Sequence, residues 1–389
     1  MTIDDSACQE LLVDLVRTPS HPGVPRQEEA VVRLLAGWLA ARGIDSEIRE
    51  VAPGRPNLLA RVSGVGPGRR ILLCGHTDTV PLNAGEPGVG FSAEVKEGRL
   101  FGRGSCDMKG AVAAMAAALP ALKRSLARGE VLFAAVADEE MESLGAETLV
   151  AEGIKADGAI VGEPTGNLLA LGHKGLEWLE ISFRGRAAHG GTPHAGVNAI
   201  VAAARFLTLV DDKLAPVLAS RAHPLLGQPT INAGTIAGGD QPSTVAAACA
   251  IRVDRRTVPG ESYASAVSEL AALVAEVERG MPGVTGSVGR VPGGMRTLEH
   301  GPTLIDAAHP LARAAASAVE SVTGRRDPPT SFPAWTDASL LSNFAGIPCI
   351  VLGPGDLALA HSPRESVPLE EVRDAARIYA AAAVDFCGA

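Results

Sequence analysis

The stretch Arg70-Ile71-Leu72-Leu73-Cys74-Gly75-His76-Thr77-Asp78 is a short apolar run that breaks into a polar turn. Four consecutive apolar residues closed by glycine predict a buried strand over 70–74, and they put His76 and Asp78 just past its carboxyl end. The pattern recurs. A strand over 131–137 runs into Asp138-Glu139-Glu140, and one over 158–161 runs into Gly162-Glu163-Pro164-Thr165. Late in the chain Ile350-Val351-Leu352 leads through Gly353-Pro354-Gly355 to His361. A further strand is predicted over 57–62, with helices over 5–17, 27–41, 108–119 and 144–152. Pro120 is expected to end or kink the third helix. A strand–helix–strand group spans 335–352, and 369–386 reads as a closing helix. Short apolar runs alternating with longer amphipathic ones make an α/β fold. In such sheets ligands bind at the carboxyl edge of the strands.

The middle of the chain has another rhythm. Strands are predicted over 176–183, 230–236, 244–253 and 284–291, with helices over 197–210 and 263–277. This β-α-β-β-α-β order is that of a split-βαβ, ferredoxin-like α+β module. The expected organisation is a discontinuous α/β domain, 1–175 with 292–389, and an inserted domain over 176–291.

Composition narrows the functional classes. The 389 residues suggest two or three domains. Lys plus Arg number 35 against 44 Asp plus Glu, a formal charge of −9 without a basic cluster, which argues against nucleic acid as a partner. Residues 1–20 lack the basic start of a secretory signal, and the longest apolar runs, such as 111–119, are about half of a membrane span. Six cysteines, with no C-x-x-C pair, read as reduced thiols in a cytoplasm.

The strand ends collect His76, Glu139, Glu140, Glu163 and His361, with Asp107 at the start of a helix between them. Taken singly these are ordinary: a loop histidine, a helix N-cap, a solvated glutamate pair. Two histidines with three of these carboxylates, Asp107, Glu140 and Glu163, and no necessary cysteine, suit Zn²⁺, Co²⁺ or Mn²⁺. Two divalent ions, three carboxylates and one hydroxide also balance to neutrality, as a partly dry cleft favours.

Five stretches resemble the M20 family of metallopeptidases and amidohydrolases, the group of acetylornithine deacetylase, succinyl-diaminopimelate desuccinylase, aminoacylase and glutamate carboxypeptidase. They are Gly75-His76-Thr77-Asp78-Thr79-Val80-Pro81, Phe101-Gly102-Arg103-Gly104-Ser105-Cys106-Asp107-Met108-Lys109-Gly110, Asp138-Glu139-Glu140, Gly162-Glu163-Pro164-Thr165 and Ala360-His361-Ser362-Pro363. The resemblance implies two divalent metal ions per subunit, Zn²⁺ first. His76 would bind one and His361 the other, with Asp107 bridging and Glu140 and Glu163 each completing one set. Asp78 would orient the His76 imidazole, and Glu139 would be the general base, taking a proton from the bridging water and delivering it to the leaving nitrogen.

The resemblance also implies that the insert is a dimerisation or lid domain. There Arg186-Ala187-Ala188-His189-Gly190-Gly191-Thr192-Pro193 and Asp254-Arg255-Arg256-Thr257-Val258-Pro259-Gly260 match the family pattern. His189 would stabilise the oxyanion, with His194 the weaker candidate. Arg256 would grip a substrate carboxylate, Arg255 would face the other way, and Asn232 is a further polar contact. Met141-Glu142, Gln241-Pro242-Ser243-Thr244 and Arg364 depart from the common pattern. The implied activity is removal of an acyl group from an N-acyl amino acid or related amine by a homodimer. The alternative is an exopeptidase, a dipeptidase or glutamate-type carboxypeptidase acting on short peptides with the same metal core. An inactive binding protein would have lost the base or a ligand, and none is missing.

Overall fold

The structure, a computed structural model, describes residues 2–83, 90–293 and 297–388. The chain divides into two units, Met1–His173 with Thr303–Ala389, and Lys174–Pro302. The first is built on a mixed sheet. Its central strand Gly66–His76 is parallel to Arg128–Val136 on one side and to Gly158–Val161 on the other, and the latter is parallel to Cys349–Val351. The antiparallel strands Arg55–Ser63 and Ser46–Ala52 extend the sheet beyond Arg128–Val136. The chain therefore leaves the central strand toward one side, then returns to pair on the other. That reversal makes a crevice at the carboxyl end of Gly66–His76.

Local sequence accounts for most elements. Asp4 caps the helix Asp5–Arg17 by accepting the Ala7 N–H at 3.0 Å, and Cys8, Leu11, Leu12 and Leu15 bury one face of it. The helix Gly110–Ser125 is buried almost all round, and it runs through Pro120 rather than ending there. An interior proline costs ~3 kcal/mol, whereas one buried leucine contributes about 1.5–3 kcal/mol. Met115, Leu119 and Leu122 are fully buried around that position, so packing outweighs the lost hydrogen bond. The helix begins at Gly110, not at 108, because Asp107 and Met108 have non-helical backbone. The strand before the helix Ala338–Ala345 is Thr330–Phe332, upstream of Trp335.

The second unit has a four-stranded antiparallel sheet in the order Thr230–Gly238, Ala248–Thr257, Gly175–Arg184, Thr285–Arg290. The helices Ala199–Leu209 and Tyr263–Gly280 contribute Phe206, Leu270 and Val274 to one core with Leu179, Ile181, Phe183, Ile251 and Val253. Their order along the chain and the strand order are those of a split-βαβ module. The third strand of the unit starts at Ala248, since Thr244 instead forms an isolated bridge with His189. The fold class is the one expected, α/β with an α+β insert. Among the described residues no helix is long and apolar enough to cross a membrane.

Candidate metal centre

Two glycines let the centre form. A Cβ on Gly75 would lie 2.8 Å from Met108 Cε, and one on Gly162 would lie 2.7 Å from the Ala111 Cβ. Without side chains at these two positions, the start of the helix Gly110–Ser125 packs directly on the sheet. The preceding turn, Ser105–Lys109, then delivers Asp107 to the strand ends. Its Oδ1 lies 3.0 Å from His76 Nε2 and its Oδ2 lies 3.3 Å from His361 Nε2, so one carboxylate stands between two imidazoles. His361 Nε2 is also 3.0 Å from Glu140 Oε1. Glu163 Oε1 stands 3.9 Å from His76 Nε2 and is buried with no hydrogen-bond partner among the described residues. Donor atoms of His76, Glu139 and Glu163 lie within 4.8 Å of one another, as do those of His76, Asp107 and Glu140.

These groups fit a divalent cation. The donors are imidazole nitrogens and carboxylate oxygens, the set that Zn²⁺, Co²⁺ and Mn²⁺ accept. The unpartnered Glu163 oxygen is a buried acceptor for which the described residues supply no donor, and a native structure seldom leaves such an atom unsatisfied.

The electrostatics agree. Burial and the neighbouring Asp107 push the Glu163 carboxyl well above its ordinary range; burial and Glu163 do the same to Glu139. Burial and Asp107 also raise Glu140. Burial disfavours the His76 imidazolium, yet hydrogen bonds to Asp107 and Asp78 outweigh it and raise its pKa. Hydrogen bonds to Asp107 and Glu140 lift His361 from 6.5 to about 10. Protein freed of divalent ions by chelation thus keeps protons that an ion must displace.

Stability should respond to pH accordingly. The raised His361 contributes stability that is fully present below 6.5 and is lost as pH climbs through about 10. The raised glutamates act in the same direction, starting from 4.5. The Tm of chelated protein should fall between these pH limits, and added Zn²⁺ should raise Tm more at the alkaline end. A flat or rising Tm in the chelated protein would contradict this.

Residues 72–385 match Peptidase family M20/M25/M40. The chain belongs to this family. Acetylornithine deacetylase of Myxococcus xanthus is 33% identical over 384 residues, covering 97% of this chain and 96% of the relative. Aminopeptidase PepT from Bacillus cereus superposes with a TM-score of 0.79 at 22% identity, covering 99% of each chain. The YXEP protein of Bacillus subtilis, a dinuclear metal binding peptidase from the M20 family, superposes with a TM-score of 0.73 at 16% identity, covering 97% of this chain and 98% of the other. As an M20 member the chain is a metal-dependent hydrolase acting on amide or peptide bonds.

Around the M20 centre lie Asp78, which the sequence pattern singled out, and supports that the pattern did not reveal. The Asp78 carboxylate accepts the backbone N–H of Glu139 at 3.2 Å and of Glu140 at 3.0 Å. His76 Nδ1 bonds the Asp78 backbone carbonyl at 3.0 Å and stands 3.6 Å from its carboxylate. Asp78 thus meets the glutamate pair through its carboxylate and the imidazole through its backbone carbonyl. Behind the pair, Asp138 has φ +73° and accepts from Arg55 Nη2 at 2.7 Å. Arg55 in turn forks onto the fully buried Glu28. Asp337 is buried close enough for its charge to act on Glu139 and Glu163, and burial pushes its own carboxyl up to about 7. Arg55 and Glu28 sit in unremarkable sequence; no local signal could have found them.

The remaining M20-like positions lie in the second unit. His189 is exposed, and its Nδ1 accepts the Gly191 N–H at 3.0 Å. His194 is exposed in the short turn Pro193–Ala195. Arg256 forks onto Asp254 at 2.7 and 3.0 Å, while Arg255 is fully buried against Glu261, on the opposite face of the strand. Asn232 is exposed and pairs in register with Asp254, which also accepts from Trp178 Nε1 at 3.2 Å.

Proposed function

We propose that the protein is a two-metal deacylase that removes an acyl group from an N-acyl amino acid or related amine. The observation that carries the metal reading is the Asp107 carboxylate, with one oxygen toward His76 and the other toward His361. His76, Asp107 and Glu163 would hold one ion, and Asp107, Glu140 and His361 the other, with Zn²⁺ the native metal and Co²⁺ or Mn²⁺ able to replace it. When bound, the ions supply Lewis-acid polarisation of the scissile carbonyl and acidify water. Glu139 takes the proton from the attacking water and returns it to the leaving nitrogen. The M20-family peptidase that binds two metals supports the dinuclear count. The deacetylase likeness along nearly the whole chain supports deacylation.

Arg256 is the anchor for a substrate carboxylate, presented as a fork by Asp254. His189 donates to the oxyanion, and Asn232 and His194 are further polar contacts. The molecule works as a homodimer. Thr230–Gly238 is an edge strand that exposes the apolar Ile236, and Ile200 and Val201 are exposed on the helix Ala199–Leu209 of the same unit, a combination that invites a second copy. Six buried, unpaired cysteines support a reducing, cytoplasmic setting.

A hydrolysis panel tests the reading. N-acetyl, N-succinyl and N-formyl amino acids should be cleaved with Zn²⁺ or Co²⁺ present, and exhaustive chelation should abolish turnover. Arg256→Ala should mainly raise KM for carboxylate-bearing substrates. Preference for dipeptides or glutamyl amides would make the protein an exopeptidase on the same core. Hydrolysis that survives chelation would sink the metal reading.

A further inference from the structure

We propose that the buried ion pair Arg103–Glu365 is a positioning device that holds Asp107 and His361 at their separation, so that affinity for divalent ions depends on it. This rests on the metal reading above. Glu365 is fully buried and Arg103 is 2% exposed, and Arg103 Nη1 pairs with Glu365 Oε2. The other carboxylate oxygen accepts two backbone N–H groups, those of Cys106 and Asp107, each at 3.2 Å. Asp107 lies outside any regular helix, so its amide is held by Glu365 rather than by a helical turn. The other end of the guanidinium reaches toward His361. Arg103 Nη2 donates to Asn83 Oδ1 at 2.9 Å, and Asn83 Nδ2 donates to the His361 carbonyl at 3.3 Å.

His361 has φ +58°, a left-handed conformation that a non-glycine residue keeps only when its surroundings impose it. One fork therefore braces the backbone of both residues: Glu365 fixes the carboxylate between the imidazoles, and Asn83 fixes the loop that carries the second imidazole. None of the three touches a reacting atom. Supports of this kind typically set ~10- to 100-fold in metal affinity.

The test measures metal binding rather than turnover. Chelated wild type, Asn83→Ala, Glu365→Gln and the double variant Arg103→Met/Glu365→Leu are titrated with Co²⁺, following stoichiometry and the visible absorption of the bound ion. Glu365→Gln keeps an acceptor for the two amides but loses the charge that aligns Arg103. It should weaken binding of both equivalents by ~10- to 100-fold, since Asp107 serves both. Asn83→Ala, at an exposed position, should weaken only one equivalent and alter only part of the spectrum. The double variant removes both charges of the pair together, so neither Arg103 nor Glu365 is left buried without the other. It keeps the comparison valid if Glu365→Gln fails to fold. Folded variants that bind two equivalents with wild-type affinity and spectrum would overturn the proposal and leave the metal reading standing. Wild type that binds no Co²⁺ would overturn both.

Discussion

Glu139→Gln is expected to lower turnover by ~10² to 10⁴-fold while the protein keeps its divalent ions. The two adjacent glutamates stand in different surroundings. Glu140 Oε1 is 3.0 Å from His361 Nε2, on the side of the second imidazole, whereas Glu139 groups with His76 and Glu163. Both backbone amides are held by the one Asp78 carboxylate, which the proposed division of tasks between the two side chains requires. Burial and the nearby Glu163 raise the Glu139 carboxyl above its ordinary range. That is the direction a group needs if it is to take a proton and return it within one turnover. Glutamine preserves the shape and removes this capacity. Glu140→Ala, in contrast, should lose bound metal. Elemental analysis and kcat measured on the same preparations separate the two effects, and metal loss in Glu139→Gln with retention in Glu140→Ala would reverse the assignment.

His189→Ala should cost ~10² to 10³-fold in kcat, the effect of removing an oxyanion donor, with metal content unchanged. The ring is exposed, and its Nδ1 accepts the Gly191 N–H. In the neutral imidazole the proton therefore sits on Nε2, which leaves a donor for a developing negative charge. Among the described residues, the clusters able to hold a metal all lie in the first unit, so the proposed role requires His189 to join that centre in the working enzyme. Whether it does so within one chain or across a dimer is decided by mixing Glu139→Gln chains with His189→Ala chains. If His189 acts on the partner's centre, a mixed dimer has one site with both defects and one with neither, and activity partly returns. A purified heterodimer with no recovery would rule out a role for His189 at the partner's centre. A fully active monomer would remove the homodimer.

The strand ends bearing His76, Glu139–Glu140 and Glu163 could be read from sequence because a buried parallel strand is a short apolar run, and the residues just beyond it must lie at the sheet's edge. The β-α-β-β-α-β order of the insert could be read for the same reason: residue alternation and helical period are local properties of the backbone. The opposite faces of Arg255 and Arg256 come from that alternation too. Other features depended on the packed molecule. Pro120 stays helical because the surrounding core outweighs a local preference. Asp107 is not a helix cap, because Glu365 takes its amide and two histidines take its carboxylate. Arg103 and Glu365 are 262 residues apart, and Arg55 meets Asp138 across 83. The chain itself determines which backbone conformations and buried faces are available. Which charged groups meet behind the centre is decided only in the tertiary structure, because a buried charge must find its partner among whatever the fold brings within reach.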